Sequence, residues 1–137
     1  MLNDAIDPHI RRVFQAWDDQ DADKAVEQFA EGGRFYERGG KEEFSKAELR
    51  DYLADYIFYA YPDYSIEETE VLTAHDWATV IEWSFRATFE RPLGDTSPTG
   101  ETVGISIVSV ITVSDDGIDS WRDYTDHESY QEQVGSD

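Results

Sequence analysis

Residues 77–90 read WATVIEWSFRATFE. Ile81, Trp83, Phe85, Ala87 and Phe89 fall on one side of this run. Glu82, Ser84, Arg86, Thr88 and Glu90 fall on the other. A period of two belongs to a strand with one dry face and one wet face. The rings on the dry face are large, so something large and apolar must cover them. The fold reading turns on what that cover is.

Downstream, Arg91 to Gly100 is a loop rich in Pro and Gly. Thr102 to Val113 is a long β-branched strand, Asp115-Asp116-Gly117 supplies a hairpin turn, and Ile118 to Asp126 returns. The tail from Glu128 to Asp137 reads as a short helix or a frayed end. Upstream, Tyr64 to Thr73 is an amphipathic strand, and Ala74-His75-Asp76 turns the chain into the run quoted above.

The cover comes from the N-terminal part. A first helix starts near Asp7 with Pro8 at its first position, where a missing N–H costs nothing. Ile10, Val13, Phe14 and Trp17 then form one stripe. Asp21 caps a second, short helix with Ala22, Ala25, Val26 and Phe29 on one side, ended by Gly32-Gly33. Arg34 to Arg38 reads as a short strand, broken by Gly39-Gly40. Ser45-Lys46-Ala47-Glu48 is a capping box before a third helix with Leu49, Leu53, Tyr56, Ile57 and Ala60 as its stripe. Helices followed by hairpin-connected strands give α+β, not α/β.

The 137 residues suit one domain, 1–137, and no linker divides them. The formal charge is −20, from 31 Asp plus Glu against 11 Lys plus Arg. Such a surface repels phosphate backbones and anionic membranes, so neither nucleic acid nor membrane is an expected partner. The acid is spread along the chain, as in proteins adapted to a salt-rich cytoplasm such as that of halophilic archaea. The absence of Cys excludes disulfides and zinc–thiolate sites. MLNDAIDPHI lacks the apolar region of a signal peptide, so a cytoplasmic location is expected. His9, His75 and His127 show no metal spacing and read as surface residues, so no metal is expected.

Pro98-Thr99-Gly100, the β-branched strand, Asp116-Gly117-Ile118 and Trp121-Arg122-Asp123-Tyr124-Thr125-Asp126 resemble the SnoaL-like polyketide cyclases and the limonene-epoxide-hydrolase-like proteins. Both are members of the nuclear-transport-factor-2-like superfamily. The passage Phe29-Ala30-Glu31-Gly32-Gly33-Arg34-Phe35-Tyr36 extends the likeness toward the N-terminus. The resemblance implies a cone of about three helices packed on a strongly curved, antiparallel or mixed sheet that encloses a pocket. It also implies that Asp123 is the general acid/base. Strand parity agrees: Trp121, Asp123 and Thr125 share one face, and a large Trp121 turned inward carries Asp123 with it.

The chain departs from these families at several positions. The epoxide hydrolases keep an Asp and an Arg where Trp83 and Phe85 stand here, and a Tyr and an Asn where Phe35 and Glu37 stand. The cyclases carry a His where Ser109 stands. The expected site therefore has Asp123 and Glu37 as an acid–base pair and Ser109 as a polar anchor. Trp17, Phe35, Tyr56, Trp83, Phe85 and Trp121 are its aromatic walls, or simply core. Two functions stay open. One is a cofactor-free enzyme moving a proton next to a carbonyl in a hydrophobic polyketide- or terpenoid-like substrate. The other is a non-catalytic ligand-binding or association domain. Homodimerisation through the outer sheet face, at Val80, Val108 and Val110, suits either.

Overall fold

The computed structural model describes residues 6–37, 41–75, 77–126 and 132–133. Helix α1 spans Pro8–Asp18, and the Asp7 carboxylate caps it by accepting from the His9 N–H at 2.8 Å. Its buried stripe is Ile10, Val13, Phe14 and Trp17, joined by Ala16. Helix α2, Ala22–Glu27, is capped by Asp21, which accepts from the Lys24 N–H.

The second helix ends earlier than the sequence reading has it. Phe29 opens strand β1, Phe29–Glu37, and Gly32 and Gly33 lie inside that strand. Neither is a helix stop, and Gly33 serves a close crossing. A Cβ on Gly33 would lie 2.5 Å from the Ile118 carbonyl oxygen, and one on Gly117, at φ +128°, would lie 2.7 Å from that of Gln28. The β1 register shifts between Phe29 and Arg34, where the strand bulges past β6.

Strand β2, Glu42–Ser45, is absent from the sequence reading. It is short, with Glu42 and Glu43 exposed and Phe44 and Ser45 half-buried, and its pairing with β1 defines it. The Gly39-Gly40 break and the tail beyond residue 133 lie outside the described residues, as does His127. Helix α3, Lys46–Tyr52, begins on the expected capping box, with both reciprocal Ser45–Glu48 hydrogen bonds present. It continues through a π-helical turn at Leu53–Ile57 into α4, Phe58–Ala60, so the three segments form one continuous helix. No helix among the described residues is long and apolar enough to cross a membrane.

Strands β3 (Ser65–Ala74), β4 (Thr79–Thr88), β5 (Thr102–Ser114) and β6 (Gly117–Thr125) follow. The sheet order is β2-β1-β6-β5-β4-β3. All neighbours are antiparallel except β1 and β6, which are parallel. Three helices thus pack on a six-stranded mixed sheet that does not close, the α+β cone of the resemblance. Ile81, Trp83, Phe85, Ala87 and Phe89 are all buried, as their alternation requires. They meet α1 through rings: Phe14 lies 5.3 Å from Trp83 and 5.4 Å from Trp121, centroid to centroid. Ring pairs of this kind each add about 1 kcal/mol beyond the area they bury.

Candidate functional site

The register of the sheet builds the site. Ser109 on β5 stands directly opposite Asp123 on β6, and the next pair on the same face is Ile111 with Trp121. Trp83 on β4 is one inward step from Ile81, the residue opposite Ser109. Long side chains reach such diagonal neighbours across a sheet. Four inward-facing residues therefore converge.

Ser109 Oγ donates to Asp123 Oδ1 at 2.5 Å and accepts from Trp83 Nε1 at 2.8 Å and Trp121 Nε1 at 3.1 Å. Trp121 Nε1 also donates to Asp123 Oδ1 at 2.7 Å. The hydroxyl thus uses its one donor and both acceptor sites. Among the described residues no donor reaches Asp123 Oδ2, the oxygen left for a ligand.

Asp123 is 2 % exposed. Burial pushes its carboxyl up to about 7, against the pull of the Ser109 and Trp121 hydrogen bonds, which favour the charged form. A carboxyl held there is half ionised near neutral pH, as proton transfer in both directions needs. Tyr64 is also buried and stacks on Phe85 at 4.5 Å. Burial, then the negative charges of Asp123, Glu37 and Asp18, hold its phenol well above the ordinary tyrosine value. It therefore stays a hydrogen-bond donor at neutral pH.

Asp123 faces a cavity of about 70 Å³. Trp17, Phe35, Glu37, Trp83 and Phe85 line it with Asp123, so the structure brings six of the nine expected residues together. Glu37, Tyr52 and Ile57 are half-buried and form its rim. The Trp17 indole N–H is buried and has no hydrogen-bond partner among the described residues.

Three expected positions differ. Tyr56 is 46 % exposed and lies outside the cavity. The π-helical turn adds a residue to one turn of the third helix and rotates its later part, so Phe58 and Tyr61 point inward instead. Ser109 is fully buried and does not reach the cavity. Its hydroxyl is committed to Asp123 and the two indoles, so it positions the acid and does not anchor a ligand. Trp121 also stands behind Asp123, against Phe14, Trp17 and Phe29, and not on the wall.

The sequence reading misses Tyr52, Tyr61, Tyr64 and Ile107 on the lining, and has Leu53 and Ile57 only on the third helix's apolar stripe. Ile107 was legible, since it shares parity with Ser109 on a β-branched strand. Tyr61 was not, because the π-turn at Leu53–Ile57 resets the helical phase before it; Tyr52 precedes that turn and Tyr64 follows the helix. His9 is half-buried and its Nδ1 lies 3.1 Å from Gln28 Oε1, while His75 stacks on the exposed Trp77. Among the described residues no three His, Cys, Asp or Glu side chains converge as metal ligands would.

The family model described as a SnoaL-like domain matches residues 10–121. No curated protein matches the chain by sequence. Solved structures match over nearly the full length. A proposed polyketide cyclase from Xanthomonas campestris pv. campestris is 18 % identical, with a TM-score of 0.81, covering 93 % of this chain and 94 % of its own. TerC, co-crystallised with polyporic acid, is 16 % identical at TM-score 0.74, covering 93 % and 96 %. A protein of ketosteroid isomerase-like fold from Catenulispora acidiphila DSM 44928, in complex with trimethylamine, is 16 % identical at TM-score 0.74, covering 93 % and 92 %.

Proposed function

The chain belongs to the SnoaL-like domain family of the nuclear-transport-factor-2-like superfamily, and from that premise we propose that it binds a small hydrophobic, polyketide- or terpenoid-like ligand and moves a proton beside that ligand's carbonyl. Asp123 is the base that takes the proton and the acid that returns it. The observation that carries this reading is the geometry of its carboxyl: buried, held near about 7, tied down through Oδ1 and open at Oδ2. The ring-lined cavity excludes water from the step. The unpartnered Trp17 N–H and the Tyr64 phenol are the donors for a developing enolate oxygen. Ser109 and Trp121 fix the acid's orientation, and Glu37 stands at the rim.

The cavity holds about two waters' volume, at roughly 30 Å³ each, so only the reacting end of such a ligand enters it. The remainder passes Tyr52 and Ile57. Epoxide hydrolysis fits less well, because Trp83 and Phe85 fill the places where a second acid and an arginine would orient water. A second reading, ligand binding without turnover, is favoured by that same loss of polar partners. The solved neighbours bound to polyporic acid and to trimethylamine support ligand binding over association alone.

Hydrogen–deuterium exchange at the carbon next to the carbonyl tests proton transfer without knowledge of the product. A panel of small ketones and 1,3-diketones in D2O, followed by NMR, should show exchange that Asp123→Asn reduces at least a hundredfold. Equal exchange by both proteins would remove Asp123 from the role. Ligand-induced protection without exchange would leave the binding reading. We also propose that two copies pair through the outer sheet face, where Val80, Val108 and Val110 are half-buried. Sedimentation of a monomer at both low and molar salt would rule this out.

A further inference from the structure

We propose that the cavity under Asp123 accepts a compact organic ammonium ion, its alkyl groups against the indole and phenyl rings and its charge beside the Asp123 carboxylate. This rests on the reading that the cavity is the ligand site, but not on proton transfer there.

The argument begins with what surrounds the acid. The lining holds two carboxylates, Asp123 and Glu37, and no Lys, Arg or His. Both charges are negative and one is almost wholly removed from water. The remaining lining is mostly aromatic, Trp17, Phe35, Trp83 and Phe85 among it. Ring faces carry negative electrostatic potential and attract cations, most strongly where water is excluded. Quaternary ammonium groups are the ligands that such cages recognise.

Burial raises the Asp123 carboxyl because no positive charge offsets it. A cation in the cavity would supply that charge and restore the ionised form. A hard metal ion needs six or more oxygen ligands, and among the described residues no three His, Cys, Asp or Glu side chains converge here. An alkylammonium ion has an apolar skin that matches the rings. Size sets the depth of entry: a cavity of about 70 Å³ holds about two water-sized groups at roughly 30 Å³ each, so part of the ion's alkyl skin enters it and the rest lies at the rim beside Tyr52 and Ile57. The whole-chain charge of −20 adds a field that concentrates small cations near the surface.

The test uses tetramethylammonium and tert-butanol, two probes of five non-hydrogen atoms and similar shape, differing in charge. Each is titrated into the full chain in 1 M KCl, which screens attraction to the surface, with tryptophan fluorescence and calorimetry as readouts. The expected result is saturable 1:1 binding of tetramethylammonium, with tert-butanol at least tenfold weaker. Asp123→Asn should weaken the ammonium at least tenfold and leave tert-butanol within twofold. Phe35→Leu, which keeps the volume apolar, should weaken the ammonium more than the alcohol. Equal binding of the two probes, or ammonium binding untouched by Asp123→Asn, overturns the proposal. Ketone exchange catalysed by a protein that ignores tetramethylammonium would end this inference and leave the proton-transfer reading. Ammonium binding without ketone exchange would do the opposite.

Discussion

Ser109 Oγ donates to Asp123 Oδ1 at 2.5 Å from the directly opposite residue of the neighbouring strand. This bond favours the charged form of an acid that burial otherwise keeps protonated. Ser109→Ala should therefore move the Asp123 pKa upward from about 7, by roughly one unit for a lost charge-assisted hydrogen bond. A carbon-13 NMR titration of the Asp123 carboxyl reads this directly. A fall, or no change, would mean that water enters and takes the place of the hydroxyl.

The same carboxyl makes stability depend on pH in a direction opposite to that of a salt-bridged acid. Its folded pKa is raised, so between about 4 and 7 the folded chain holds a proton that the unfolded chain has released. Stability contributed by this group is complete at low pH, declines as pH rises through that window, and is flat above it. Asp123→Asn removes the dependence. The difference in unfolding free energy between the variant and the wild type should grow with pH, at about 1.4 kcal/mol per unit at most. Urea unfolding of both proteins at pH 5, 6, 7 and 8 measures it, with the other acids cancelling in the difference. A constant difference would place the carboxyl's pKa near that of an exposed Asp.

The rephased third helix separates two tyrosines that one helical stripe would group with its core. Tyr56 is 46 % exposed, whereas Tyr61 is 1 % exposed and packs 5.3 Å from Phe89. Tyr56→Ala should change stability by no more than about 0.5 kcal/mol, and Tyr61→Ala should cost about 3 kcal/mol or more. Comparable losses at the two positions would mean that the helix continues in regular α form through Leu53–Ile57.

What the sequence reveals and what it hides divide along physical lines. Alternation over Ile81 to Phe89 is dictated by the pleat, so the inward face of β4 was legible residue by residue. The parity of Trp121 and Asp123 placed the acid on the same face for the same reason. Strand β2 was hidden because only Phe44 of its four residues packs against the core, too little for a period to show, and the edge of β1 makes them a strand. Tyr61 was hidden because a π-turn leaves no periodic signal before it occurs, and Tyr64 because it lies in the turn between helix and strand, where no period applies. The role of Ser109 was misjudged because sequence shows a hydroxyl near an acid but not how many partners already use it.

Gly33 tests whether the crossing of β1 and β6 is as tight as described. A methyl group there would press on the carbonyls of Ile118, at 2.5 Å, and Ala30, at 3.0 Å, and backbone cannot step aside as a side chain can. Gly32 has nothing within 4 Å of the same position. Gly33→Ala should therefore cost about 2 kcal/mol or more, while Gly32→Ala should stay within about 0.5 kcal/mol. Chemical denaturation of the pair gives the comparison, and similar values would show that the crossing yields to a methyl group.

Charge sets the last expectation. With −20 on 137 residues, repulsion among acids opposes folding, and few cations relieve it. The ion pairs that Arg34, Arg50 and Arg86 make with Glu43, Asp23, Asp51 and Glu67 are well exposed, and such pairs contribute little. Salt therefore screens far more repulsion than attraction. Unfolding free energy should rise by more than ~1 kcal/mol between 0.05 and 1 M KCl. The shape of the rise matters more than its size. The screening length falls from about 10 Å at 0.1 M to about 3 Å at 1 M, so most of the gain should come below roughly 0.5 M, with a plateau after it. Urea midpoints across a KCl series distinguish the cases. A linear rise continuing through 3 M would point to exclusion of salt from the surface and not to relief of repulsion, and a loss of stability would mean that the exposed arginine pairs matter more than their geometry allows.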